Sequence, residues 1–369
     1  MAIVDVLPTG CGDAGYPRHM PLDPPFSDVL GPDFRVETMT LPPDDEGPVV
    51  ATLVTLPASR PTGRAVLHVH GFADYFFQTE YARWWADRGY TFYAVDLRKY
   101  GRSLREHQTP NYVADLREYF AELDLAWWRI TRRDGHREVI ASAHSTGGLT
   151  LSLWANDRRH EAMSGLVLNS PWFDMQGSAW LRSPATRVAL ERLGSSRPLR
   201  EIPRKISGVY GRSLHRDHEG EWDFDLQWKP LESMPVYAGW LRAVRRGHAE
   251  LHAGLDVPCP ALVLSSARTS FTDDLTEDAY STDIVLDVEQ IRRWASSLGR
   301  HVTSLAVDGA LHDVTLSRPE VRARVYAGLD TWMTAWVEHP HAGSARTPEQ
   351  VSEEEGGQRR HAHHGDHRA

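Results

Sequence analysis

The chain has 369 residues, enough for one large domain or two ordinary ones around a sizeable buried core. Its 41 basic and 50 acidic side chains leave a net charge of −9, which argues against a general nucleic-acid binder with its basic footprint. Two cysteines, Cys11 and Cys259, form no spacing motif, and no stretch approaches the ~20 apolar residues of a membrane span.

From the N-terminus, Met1-Ala2-Ile3-Val4-Asp5-Val6-Leu7-Pro8 lacks a basic n-region and breaks its apolar run at Asp5 and Pro8. No signal peptide is therefore expected, and a reduced, cytoplasmic protein is the expectation. Residues 1–33 are rich in Pro and Gly and read as an irregular arm. Phe34 to Leu41 alternates apolar and polar, as does Val49 to Leu56 beyond a turn through Pro42-Pro43-Asp44-Asp45-Glu46-Gly47, which predicts an antiparallel hairpin. After Pro61-Thr62-Gly63 the pattern changes. Strands over Ala65–His70, Thr91–Asp96, Val139 up to Ser145 and Leu166–Asn169 alternate with helical segments over Thr79–Arg88, Tyr112–Arg132 and Leu149–Asn156. That alternation predicts a parallel sheet with helices on both faces.

Between residues 173 and 255 the alternation breaks into helical patches, scattered tryptophans and a charged run from His215 to Asp225. We read 173–255 as a helical cap inserted above the carboxyl edge of the sheet. The core of residues 34–172 resumes over 256–338, with a strand at Ala261–Leu264, a helix at Val288–Leu298, a strand at Val302–Val307 and a helix at Pro319–Val337. Residues 339–369 are polar and rich in His and Glu, and are expected to form a disordered tail. Its His361-Ala362-His363-His364 cluster is read as solvated, and no metal site is expected.

Candidate chemistry collects at strand ends, where open parallel sheets bind ligands. Val139 to Gly148 reads as a strand stopping at Ser145, flanked by Ala143, Gly147 and Gly148 before a helix. This is the layout of a nucleophile elbow, usually G-x-S-x-G, here with Ala in place of the first Gly. His70-Gly71-Phe72 ends an earlier strand, so the backbone N–H groups of Phe72 and Thr146 are the candidate oxyanion donors. His312, in Gly309-Ala310-Leu311-His312-Asp313 after the last strand, is placed to act as the base. The acid that orients it should follow the strand Ala261–Leu264. Asp283 is favoured there, with Asp273 and Asp274 next; Asp287, near a helix start, has the position of a cap.

These pieces, with Asp96-Leu97-Arg98-Lys99-Tyr100-Gly101-Arg102-Ser103 and Asp283-Ile284-Val285-Leu286, run in the order found in one family. The chain resembles an α/β-hydrolase of the lysophospholipase, monoacylglycerol-lipase and serine-aminopeptidase-like group over about residues 34–337. The resemblance implies a mostly parallel sheet with an N-terminal antiparallel hairpin and a helical cap. It also implies Ser145 as nucleophile, Asp283 as acid, His312 as base, and Phe72 and Thr146 at the oxyanion hole. Lys99 departs from the Gly common in the family's Asp-x-Arg loop. The expected activity is hydrolysis of a carboxylic ester or lipid without a cofactor, since no phosphate-binding or dinucleotide glycine loop follows a strand. An aminopeptidase would need carboxylates to hold a free ammonium, and Asp217, Glu219, Glu221, Asp223 and Asp225 are the candidates. The third reading is a hydrolase-like protein that binds a ligand without turning it over.

Overall fold

The structure, a computed structural model, describes residues 26–28, 30–177, 179–204 and 206–338. Cys11 and the expected tail with its histidine cluster lie outside these residues. The chain enters through strands β1 (Phe26–Asp28), β2 (Gly31–Asp44) and β3 (Gly47–Leu56), followed by β4 (Arg64–Val69), helix α1 (Thr79–Asp87) and β5 (Tyr90–Asp96). Helix α2 (Phe120–Trp128), β6 (Glu138–His144), α3 (Thr146–Arg158) and β7 (Met163–Asn169) complete the first half. Helices α4 (Pro184–Ser196), α5 (Val209–Leu214) and α6 (Ala238–Ala253) occupy the segment between β7 and β8 (Ala261–Ser266). The chain then runs through α7 (Val288–Ala295), β9 (Val302–Val307) and α8 (Pro319–Met333).

All nine strands form one sheet in the order β1-β2-β3-β5-β4-β6-β7-β8-β9. The pairings β1/β2, β2/β3 and β3/β5 are antiparallel, and every pairing from β5/β4 to β8/β9 is parallel. The near-continuous apolar runs of the central strands follow from burial on both faces. Leu67, Ala141 and Leu168 face a cluster with Leu123, Trp127, Leu149 and Trp154 of α2 and α3. Their neighbours Val66, Ile140 and Val167 face Trp85, Val325, Leu329 and Trp332 of α1 and α8. Among the described residues no helix is long and apolar enough to cross a membrane.

Two boundaries differ from the sequence expectation. β2 begins at Gly31, and β1 pairs with it inside the stretch read as irregular. The helix expected from Tyr112 begins only at Leu116, as a short 3-10 turn leading into α2. Asp115 accepts from the Arg117 N–H while Glu118 accepts from the Asp115 N–H, a reciprocal cap that stops the helix there. Apolar spacing alone does not register that stop.

Candidate active site

Strand β6 ends at His144 and α3 begins at Thr146, so Ser145 is the turn between them. Its backbone sits at φ 52° and ψ −119°, a region that costs an L-residue about 1–3 kcal/mol. Surrounding bonds hold it there: Ser145 N–H donates to the Asn169 carbonyl at 2.9 Å, and its own carbonyl accepts from Gly148 and Trp172 at 2.9 and 3.0 Å. Gly147 is required by close approach, since a Cβ on it would lie 2.2 Å from the His70 carbonyl oxygen. Gly71 is less constrained, with a Cβ there falling 3.1 Å from Ser145 Cβ.

His312 lies on the loop after β9, with Nε2 3.1 Å from Ser145 Oγ and Nδ1 2.9 Å from Asp283 Oδ2. Asp283 lies on the loop after β8, where its Oδ1 accepts from Val285 N–H at 2.8 Å and Leu286 N–H at 2.7 Å. An Nδ1–H that donates to Asp283 leaves Nε2 as the acceptor facing the serine hydroxyl. Asp283 is fully buried, and Ser145 and His312 are under a tenth exposed. The other candidate acids stand elsewhere. Asp273 and Asp274 are exposed, and Asp287 caps α7 by accepting from Glu289 N–H at 3.0 Å.

Phe72 and Thr146 both line the cavity beside Ser145, Thr146 as the first residue of α3. The Phe72 ring packs on Trp240 of α6 at 4.3 Å. The Asp96 to Ser103 loop is tied down by its own side chains. Asp96 accepts from Phe76 N–H at 3.0 Å and from Arg102 Nη1 at 2.8 Å, and Arg98 pairs with Glu122 at 2.7 Å. Lys99 has φ 64°, the left-handed conformation that favours glycine, and its ammonium pairs with Asp44 at 2.7 Å and Glu46 at 2.5 Å. Those two pairs to the β2–β3 turn hold a lysine where glycine is the easier choice.

Sequence reasoning assigned no role to the polar layer beneath these groups. Asp74 pairs with Lys229, between α5 and α6, at 2.8 Å and with His144 Nδ1 at 3.3 Å. Burial alone would raise the Asp74 carboxyl, but the Lys229 ammonium and the His144 bond outweigh it and hold it well below the usual carboxylate range. Asp313 accepts from Asn169 at 2.6 Å, Thr315 Oγ1 at 2.7 Å and Gln78 at 3.0 Å, which fixes the loop carrying His312. Its adjacency to His312 is a usable sequence signal. The 155 residues separating Asp74 from Lys229 offer none.

Above Ser145 opens a cavity of about 910 Å³, whose wall includes Trp172, Leu190, Leu193, Val236, Trp240 and Leu286. Its carboxylates are Asp74, matched by Lys229, and Asp273. The His215–His218 stretch is structural: His215 bonds the Phe224 carbonyl at 3.0 Å through Nε2 and accepts from Asp217 N–H at 3.1 Å through Nδ1. Among the described residues no group of three or more His, Cys, Asp or Glu could hold a metal ion.

A phospholipase of Bacillus subtilis (strain 168), YtpA, is 28% identical over 123 residues, a stretch that is 33% of this chain and spans only 45% of that protein. A soluble variant of monoglyceride lipase from Saccharomyces cerevisiae, solved with a substrate analog, superposes with a TM-score of 0.60 at 16% identity, covering 87% of this chain and 98% of that one. A thermostable carboxyl esterase from Bacillus coagulans, in complex with glycerol, gives 0.59 at 13% identity, covering 82% and 99%. At such identities the likeness is one of fold, and the fold is that of the α/β-hydrolases. Residues 60–316 match the family model described as Serine aminopeptidase, S33 (Hydrolase_4). The chain belongs to that family and has the α/β-hydrolase fold.

Proposed function

We propose that the protein is a serine hydrolase that cleaves carboxylic esters of apolar acyl chains through an acyl-enzyme on Ser145. The observation that carries this reading is the unbroken hydrogen-bonded chain Ser145–His312–Asp283 on the floor of an apolar cavity. In this reading His312 Nε2 takes the Ser145 proton as Oγ attacks the ester carbonyl. Asp283 holds the ring tautomer and stabilises the imidazolium without itself being protonated. Phe72 and Thr146 N–H groups receive the oxyanion, each donor contributing about 10²–10³ in rate. His312 then returns the proton to the leaving alcohol and activates the water that releases the acid.

The aromatic and aliphatic wall favours a medium or long acyl chain, as in a monoacylglycerol or lysolipid. The names of the similar proteins, a phospholipase, a monoglyceride lipase and a carboxyl esterase, point the same way. Aminopeptidase activity is not supported by the carboxylates proposed for it. Glu219 and Asp223 pair with Arg212 and Arg216 at 2.6 and 2.9 Å, and none of the five acids from Asp217 to Asp225 lines the cavity.

The test is a panel of acyl esters of rising chain length set against aminoacyl anilides. Esters should be hydrolysed with kcat/KM rising toward the longer chains, and Ser145→Ala should lose on the order of 10⁴-fold or more. Preferential anilide cleavage would overturn the substrate class. Wild-type-like turnover by Ser145→Ala would overturn the mechanism.

A further inference from the structure

Although the chain is acidic overall, the stretch from Trp180 to Arg200 carries Arg182, Arg187, Arg192, Arg197 and Arg200 against one acid, Glu191. Helix α4 occupies most of this stretch and packs beside α6, which adds Arg242, Arg245 and Arg246. Between the two helices lies a groove of about 420 Å³ walled by Arg187, Arg192, Arg242, Arg245 and Arg246, with Glu191 its one carboxylate. Glu191 is taken by Arg246, whose Nε lies 3.1 Å away, and Arg245 pairs with Asp174 at 3.0 Å. Arg242 donates to Ser195 Oγ at 2.7 Å, while its Nε is buried without a hydrogen-bond partner. Arg187 and Arg192 are exposed, and among the described residues no carboxylate lies within 4.0 Å of either. A groove this rich in guanidinium and this poor in counter-charge is shaped for anions.

Exposed apolar side chains accompany the arginines along this stretch, Val188 in the groove wall, Trp180 before α4 and Leu199 after it. Val188 is 48% exposed, Leu199 53% and Trp180 64%. Trp180 also lines the cavity above Ser145, as does Phe271 at 55% exposure, so both sit on its rim. Leu190 and Arg245 belong to both the groove and the cavity, which makes the basic groove contiguous with the route to Ser145.

We propose that the α4 face is a docking surface for an anionic lipid interface, with the arginines at the phosphate level and Trp180, Val188, Leu199 and Phe271 entering the acyl boundary. Arginine interleaved with exposed Trp, Leu and Val is the composition of an interfacial helix face. Each arginine near an anionic membrane contributes favourably, and the attraction falls off within a Debye length of about 8 Å at physiological salt. A nucleic acid would match the arginines but leave the apolar side chains without a partner. A free phosphate would match the groove alone. The lipid interface satisfies both sets and sets the cavity mouth against its source of acyl chains.

The test uses the full chain as Ser145→Ala, so that lipid is not consumed and vesicle uptake is read apart from turnover. Sedimentation with phosphatidylcholine vesicles is compared with phosphatidylcholine mixed with phosphatidylglycerol. The mixed vesicles should bind at least about 10-fold more strongly, with the difference collapsing at high salt. Adding Arg187→Glu and Arg192→Glu should lower that binding by at least about 10-fold, whereas the paired Lys substitutions should keep most of it. In the Ser145 background of the wild type, the Glu substitutions should leave the melting temperature and hydrolysis of a soluble short-chain ester unchanged, since both side chains are exposed and neither lines the cavity. Equal binding to the two vesicle types, or binding indifferent to the Glu substitutions, would overturn the proposal. So would competition by millimolar inorganic phosphate, or capture on duplex DNA without uptake on vesicles. Any of these failures would leave the ester-hydrolase reading standing.

Discussion

At the floor of the cavity Ser145, His312, Asp283 and Asp313 are all under a tenth exposed, and each is held by hydrogen bonds from at least two directions. In the α4 segment above them, Arg187, Val188, Arg192 and Leu199 project into solvent. The floor is assembled from the ends of β6, β7, β8 and β9, whose register leaves each loop little freedom. The segment above is joined to it by polar contacts that include the buried Lys229–Asp74 ion pair and the Asp313 N–H that donates to the Tyr210 hydroxyl. The difference separates two tasks. Chemistry demands atoms fixed to a fraction of an ångström, whereas recognition of a large or fluid substrate tolerates an exposed and adaptable surface.

If the floor works as a unit, its largest sensitivity is the tautomer of His312. Asp283→Asn should lower kcat by about 10⁴-fold with little change in melting temperature, while Asp273→Asn, at the rim, should stay near wild type. A strong effect of Asp273→Asn with a mild one of Asp283→Asn would move the acid out of the floor. The comparison is sharpened by cutting the bond between the two regions. Lys229→Met leaves the fully enclosed Asp74 carboxylate without its cation, and should destabilise the fold by about 3–5 kcal/mol in denaturant unfolding. A loss below about 1 kcal/mol would show that the upper segment does not anchor the floor.

Smaller, but diagnostic of how dry the interior is, is the response to acid. Burial pushes His68, on β4, and His248, on α6, from 6.5 down to about 3. Folded, each rejects a proton that it accepts when unfolded. Stability linked to these two histidines is therefore fully present above about pH 6.5 and is lost as pH falls toward 3, each contributing up to about tenfold in the unfolding constant per pH unit. Chemical denaturation across that window measures the slope; the double variant His68→Gln, His248→Gln should flatten it, and an unchanged slope would assign acid sensitivity to other groups.

How much of this was legible in the sequence follows the same division. Ser145, Asp283 and His312 follow β6, β8 and β9 in chain order, and strands 4 to 8 residues long announce themselves by apolar runs. The glycines near Ser145 were legible because a turn so tight admits no Cβ. The Tyr112 start of the second helix was misplaced because a reciprocal Asp115–Glu118 cap overrides apolar spacing. Asp74 and Lys229 meet only in the folded chain, 155 residues apart in sequence, and a lone lysine in a charged stretch carries no sign of burial. The groove of arginines was hidden for a related reason. Its five arginines come from two helices whose sequences are separated by more than forty residues, and an overall charge of −9 conceals a local excess of the opposite sign.

The central claim is that Ser145 is an activated nucleophile, and labelling with a fluorophosphonate probe tests it most directly. Native and heat-denatured protein would be compared, with the modified peptide located by mass spectrometry. The account predicts label on Ser145 in the native protein alone, lost in Asp283→Asn. Native, well-folded protein that takes no label, or takes it on another serine, would contradict it.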